Sequence, residues 1–205
     1  MTTSATVPAV LRPALRVAIV AAVVIAMVVV ELSSRSGVTW RLITFTYQAN
    51  LLAAAYYLWT LASPRGDVRV GLRGAVVLYV VIAGILWNLL LTGYSMGYTA
   101  ANVLLHVVVP MLALADWLLV GRGQGRVQWW HPLAWLVYPA VYVVLALVVL
   151  NTAGRRAPYY FLDPDSVGVA AVMANICVLG GCVVVLGYGL LAVNRVATPA
   201  RIDAP

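Results

Sequence analysis

The chain has 205 residues, of which 64% are hydrophobic and only 9% charged, with a formal net charge of +7 and a mean hydropathy of +0.98. A composition this apolar excludes a soluble domain, because one aqueous core cannot bury it. The positive charge is scattered through short separators, not gathered into a solvated basic patch, which argues against a nucleic-acid partner.

A bilayer's hydrocarbon core takes roughly 20 apolar residues per helix. Taken in chain order, six stretches qualify: 14–31, 41–62, 72–91, 101–120, 132–150 and 168–193. The separators SSRSG, SPRGDVR, TGYSMG, GRGQGR and NTAGRRAPYYFLDPDS supply the turn residues between them. The expected fold class is all-α, a polytopic membrane protein with six transmembrane helices in a single domain over 1–205. No internal repeat is visible. The first stretch follows LRPALR, as a secretory signal would, but no A-x-A-like site follows ELSSRSG and the apolar run is long for a signal's core, so it is read as a retained helix.

All 13 basic residues are Arg. Arg12, Arg16, Arg65, Arg69, Arg73, Arg122, Arg126, Arg195 and Arg201 fall on one side of the six spans, and Arg35, Arg41, Arg155 and Arg156 on the other. The positive-inside rule then places both termini in the cytoplasm. Trp40, Tyr94, Tyr98, Tyr159 and Tyr160 on the outer side, with Trp59, Trp117, Trp129 and Trp130 on the inner, read as two interfacial aromatic belts.

The second span opens RLITFTYQANLL, with Thr44, Thr46, Gln48 and Asn50 at alternate positions. Entering from outside, it puts Thr44 about one turn below the outer surface. The fourth span, ANVLLHVVVP, sets His106 at a similar depth with Asn102 four residues earlier on the same face. Asn88 and Asn151 approach that level from the third and fifth spans, and Asn175 in the sixth lies slightly deeper, near Gln48 and Asn50. Polar groups from five spans thus converge on the outer half, which predicts a polar pocket open to the outer leaflet. Each amide or hydroxyl alone also reads as interhelical glue, at about 1 kcal/mol per contact. An intramembrane His more often marks a site, although a neutral His held by Asn102 is an equally good structural element. Pro110 cannot donate to the carbonyl of His106, so a bend is expected there, with that oxygen seeking another partner.

A hydroxyl becomes a nucleophile when a neutral His within about 3 Å takes its proton. Thr44 with His106 is the pairing whose depths agree. Thr46 points about 200° away around a helix and is the backup, since both cannot face one imidazole. The amides of Asn102 or Asn88 are candidates to stabilise an oxyanion. His131 lies at the opposite end of the bundle from His106, so the two cannot clamp one haem. Cys177 and Cys182 are spaced too poorly for a disulfide or a zinc site. No metal and no organic cofactor are therefore expected. Ala170, Ala174, Cys177 and Gly181 form a stripe of small residues, a packing face for a neighbouring helix whose identity the sequence does not give. Asp116, at the inner end of the fourth span, is expected to sit at the interface or pair with an Arg.

Three pieces together carry a family resemblance: LITF at 42–45, Asn102 and His106 four apart with a proline just beyond, and PYYFLD at 158–163. In these the chain resembles the six-span family of androgen-induced and androgen-dependent membrane proteins and the bacterial membrane proteins similar to them. The proline follows His106 by four residues instead of the five of the animal members, and PYYFLD replaces their YPFLE-like string. FTYQAN and the Asp116–Trp117 pair look more like the bacterial branch, and a bacterial plasma membrane is the implied location. Members of the family are intramembrane threonine hydrolases that cleave fatty acid esters of hydroxy fatty acids. The resemblance assigns the nucleophile to Thr44 and the base to His106.

The expected function is hydrolysis of a lipid-like ester, with membrane lipids or the lipid ester itself as partner. Asn102, Asn88, Gln48, Asn50, Asn175 and Asp163 are the expected pocket or oxyanion residues. Asp163, with Tyr159 and Tyr160, would lid the pocket or anchor its own loop. The alternatives are a non-catalytic lipid-binding or transport protein and a purely structural subunit.

Overall fold

The computed structural model describes residues 10–33, 37–63, 68–120, 125–150 and 158–197. Asn151 lies outside these residues, as do Arg35, Arg65, Arg122, Arg155, Arg156 and Arg201 of the charge pattern. Among the described residues every regular element is helical.

Helix α1 (Leu11–Ser33) is followed by a short α2 (Val38–Ile43) and then α3 (Phe45–Ala62). The second expected span is therefore not one continuous helix. Thr44 adopts an extended conformation with φ −77° and ψ 141° and divides α2 from α3. Two side chains stabilise the break. The Thr44 hydroxyl donates to the carbonyl of Arg41 at 2.8 Å, and Gln48 Nε2 donates to the carbonyl of Leu42 at 2.9 Å. The Gln48 amide thus serves a carbonyl near the end of the interrupted helix, and the Thr44 hydroxyl joins the Thr44 backbone N–H on the Arg41 carbonyl.

Helix α4 (Val70–Leu86) runs on as a π turn over Trp87–Leu91. Helix α5 (Ala100–Val103), a π turn over Leu104–Val108, α6 (Val109–Ala115) and a second π turn over Asp116–Val120 make one continuous rod. Helix α7 (His131–Ala134) leads into α8 (Val137–Val144) and a π turn over Leu145–Leu150. A single 3₁₀ turn, Tyr160–Leu162, precedes α9 (Pro164–Val167) and the long α10 (Val169–Ala197). Five helical rods are long and apolar enough to cross a membrane: Leu11–Ser33, Val70–Leu91, Ala100–Val120, His131–Val148 and Val169–Val196. The α3 stretch falls short of that measure because Thr46, Gln48 and Asn50 occupy its first turns.

Helix α4 is the centre of the bundle, packed against α3, α6 and α10, while α1 packs on α3, α5 and α6. Close approach to α4 depends on glycine. A Cβ on Gly84 would lie 2.7 Å from the carbonyl oxygen of His106 and 3.0 Å from Pro110 Cγ, and one on Gly74 would lie 2.4 Å from the Trp135 ring. Small residues at such crossings let the backbones meet, and packing then replaces the hydrophobic force that lipid cannot supply.

At the end of the bundle where α4 begins, Arg16, Arg73 and Asp116 are 1%, 0% and 0% exposed. Arg73 Nε donates to Asp116 Oδ2 at 2.9 Å and its Nη2 to the Asp116 backbone carbonyl at 2.6 Å, and Arg16 Nε reaches Oδ1 at 3.5 Å. Asp116 is thus an Arg-paired carboxylate that ties α1, α4 and the α6 rod together. Arg73 also lies 5.9 Å from the Trp117 ring centroid. By contrast, Ala170, Ala174, Cys177 and Gly181 are all exposed, so none of the described helices covers that stripe.

Candidate functional site

A cavity of about 450 Å³ opens between α3, α4, α8 and α10. Phe45 and Thr46 supply its α3 wall and Ile82, Ala83 and Leu86 its α4 wall. Pro139, Tyr142 and Val143 face them from α8, while Ile176, Leu179 and Val183 face them from α10. The 3₁₀ turn closes one end with Phe161 and Leu162, beside Tyr159. The lining is almost wholly apolar, and its side-chain hydroxyls are those of Thr46, Tyr142 and Tyr159. A volume in the range of small-molecule pockets, with few polar groups gathered at one place, suits one flexible apolar chain carrying a polar head.

The hydroxyls converge because α3 starts afresh at Phe45. Thr46 stands in its first turn, buried, and Tyr159 Oη lies 3.4 Å from Thr46 Oγ1 and accepts from the Thr46 backbone N–H at 3.3 Å. Burial pushes the Tyr159 phenol above its ordinary value, so this group is a neutral hydrogen-bonding partner. Phe45, on the same cavity wall, joins an aromatic cluster, with its ring 5.4 Å from Tyr138 and 5.3 Å from Tyr142.

Thr44, two residues earlier, is half-buried at the break, its hydroxyl committed to the Arg41 carbonyl. Among the described residues no hydrogen bond joins Thr44 to His106. The His106 ring is buried and stacks on Trp87, with centroids 4.7 Å apart and planes 10° apart. Its Nδ1 faces the carbonyl of Ala83 at 3.3 Å, which assigns the proton of the neutral ring to Nδ1 and leaves the lone pair on Nε2. Ala83 therefore meets the imidazole through its carbonyl and also lines the cavity.

The remaining polar residues divide by what they hold. Asn88 Nδ2 donates to the His106 carbonyl at 3.2 Å and to the Gly84 carbonyl at 2.8 Å, while its Oδ1 accepts from Tyr98. The oxygen that Pro110 leaves without a helical donor is thus taken by Asn88. Asn102 turns away from His106 and donates to the carbonyl of Gly97 at 2.7 Å. Gln48 accepts from Tyr138 Oη at 2.9 Å while its nitrogen serves the α2 end. Asn50 donates to the Thr46 carbonyl at 2.9 Å and to that of Leu105 at 3.5 Å, with its buried Oδ1 unpartnered among the described residues. Asn175 donates to the Phe161 carbonyl at 2.9 Å, pinning the 3₁₀ turn to α10. Asp163 caps α9, accepting from the Asp165 backbone N–H at 3.1 Å and from Ser166 Oγ at 2.6 Å.

The structure therefore brings Thr46, Tyr159 and the apolar cavity together, places His106 behind Ala83, and leaves Thr44 at the α2–α3 break. Tyr142, Phe45 and Gly84 were not among the expected site residues. Tyr142 carried no signal in the sequence, whereas Gly84 stood four residues before Asn88 on one helix face. No family model, curated protein or solved structure matches the chain.

Proposed function

We propose that this chain is an integral membrane protein of six spans with both termini in the cytoplasm, in which α2 and α3 together make the broken second span. The nine-to-four arginine distribution supports the orientation. In this reading the bundle receives the acyl chain of a membrane lipid between α3, α4, α8 and α10 and hydrolyses an ester at the chain's head with a threonine hydroxyl. One observation carries the reading: an apolar cavity of about 450 Å³ whose wall presents the Thr46 and Tyr159 hydroxyls side by side.

Threonine Oγ1 would attack the acyl carbonyl and His106 Nε2 would take the hydroxyl proton. The tetrahedral intermediate would expel the alcohol, which receives that proton, and water would then release the acyl group from the threonine. The buried position of Thr46 on the cavity wall favours it for the attack, while the resemblance in LITF favours Thr44. Tyr159 would donate to the carbonyl oxygen, a role that its neutral phenol suits.

The second reading is lipid binding without chemistry. The commitment of the Thr44 hydroxyl to Arg41 and the enclosure of the imidazole against Trp87 favour it. Fluorophosphonate labelling of the detergent-solubilised protein separates the two, with Thr44→Ala, Thr46→Ala and His106→Ala as variants. Labelling lost in His106→Ala and in one threonine variant names the dyad. A folded wild-type protein that takes no label while retaining lipid supports binding alone.

A further inference from the structure

A second cavity of about 480 Å³ lies at the end of the bundle where α3 stops and α4 and α7 start, apart from the acyl cavity described above. Its lining is divided by chemistry. Val70, Leu72 and Ala75 of α4 and the Trp135 ring form an apolar floor, and Trp59, Arg69 and His131 stand around it. Arg69 is exposed, and among the described residues its guanidinium has no hydrogen-bond or ion-pair partner. The His131 ring is held in place: its Nδ1 accepts the Gln128 backbone N–H at 3.0 Å, and Trp130 packs against it at 4.3 Å between centroids. With Nδ1 accepting, the neutral ring carries its proton on Nε2, so a second donor lines the same cavity as the guanidinium. Only glycine at 71 permits this placement, because a Cβ there would lie 2.7 Å from His131 Cε1 and Nε2. Trp135 Nε1 is already bonded to the Gly71 carbonyl at 2.9 Å, so the indole offers its apolar face.

We propose that this cavity binds the headgroup phosphate of an anionic phospholipid from the leaflet at that end of the bundle, with Arg69 and the His131 Nε2–H on the phosphate and the upper acyl chain against Leu72, Ala75 and Trp59. A free cation and a fixed neutral donor match one phosphate diester, and the apolar floor has no use for a free inorganic anion. The exposed rings of Trp59, Trp129 and Trp130 set the site at headgroup depth, where amphipathic rings collect.

The test is quenching of intrinsic tryptophan fluorescence in phosphatidylcholine vesicles that contain brominated phosphatidylglycerol or, for comparison, brominated phosphatidylcholine. The full chain is used as wild type, Arg69→Gln, His131→Phe and, as an exposed basic control outside the cavity, Arg195→Gln. Phenylalanine keeps a ring over Gly71 while deleting the donor. Wild type should be quenched more strongly and saturably by phosphatidylglycerol, with the apparent affinity about fivefold weaker in Arg69→Gln, a fall in His131→Phe and no change in Arg195→Gln. Equal quenching by the two lipids, or selectivity that survives both cavity variants, overturns the proposal. Loss of the selectivity on adding inorganic phosphate at matched ionic strength also overturns it, by assigning the cavity to a free oxyanion.

Discussion

Replacing Asp116 by Asn tests how the bundle is held at the α4 end. The carboxylate is fully buried and shared by Arg73 and Arg16, at 2.9 and 3.5 Å from their Nε atoms. At about 4 Å and an effective dielectric of about 20, each attraction amounts to about 4 kcal/mol before desolvation is charged against it. Asn keeps the shape and one acceptor but removes the charge, leaving two cations close together in the core. Breaking one side of a buried ion pair costs about 3–5 kcal/mol, because the charge left behind has no aqueous compensation. For a chain of this size that is a fall of about 6–20 °C in Tm, measured by thermal unfolding in detergent. The double variant Arg73→Met with Asp116→Asn should be less damaged than the sum of the two single ones, with a coupling of about 2 kcal/mol or more. An Asp116→Asn protein that melts within about 2 °C of wild type, or single losses that simply add, would refute the reasoning.

Gly180 lines the cavity between α3, α4, α8 and α10, and a Cβ there meets nothing within 4 Å, so Gly180→Phe should fill the space without strain. The expected outcome is unchanged or slightly higher Tm, by about 0.5 kcal/mol from helix propensity, with lipid retention in native mass spectrometry lost. Gly84→Ala acts in the opposite way. Its Cβ meets a backbone oxygen that cannot give way, so α4 and the α5–α6 rod should separate, at a cost of about 1–3 kcal/mol read as a lower Tm.

Five long apolar rods were legible in the sequence because length and apolarity are local properties. The break at Thr44 was not. Nothing in Ile43, Thr44 or Phe45 is a helix breaker, and the interruption is sustained by Gln48, itself held by Tyr138, 90 positions further along the chain than Gln48. Neither the level at which residues of different helices meet nor the direction in which each points could be read from the sequence: Thr44 was expected beside His106, yet Asn50 is the α3 residue bonded to the neighbouring Leu105 carbonyl. Asn102 and His106 share a helix face, yet Asn102 is drawn to the Gly97 loop. The carbonyl freed by Pro110 was anticipated, and the structure supplies its donor in Asn88. The small-residue stripe of α10 reads as a packing face in the sequence, but none of the described helices covers it. Whether its partner belongs to the same chain is not encoded in its spacing.

The position of α10 has a consequence for traffic. One end of this helix is held through Asn175 to the 3₁₀ turn, and near the other Gly187 sits against Pro132 and Trp135. Between those two moorings Ile176, Leu179 and Val183 form one bank of the cavity of about 450 Å³, opposite α8. In the proposed function a guest molecule would therefore enter sideways from the bilayer between α8 and α10, tail first and without crossing water. Residence in the cavity would then be a partition between two greasy phases, governed by fit and by the hydroxyls at its wall more than by any hydrophobic gain.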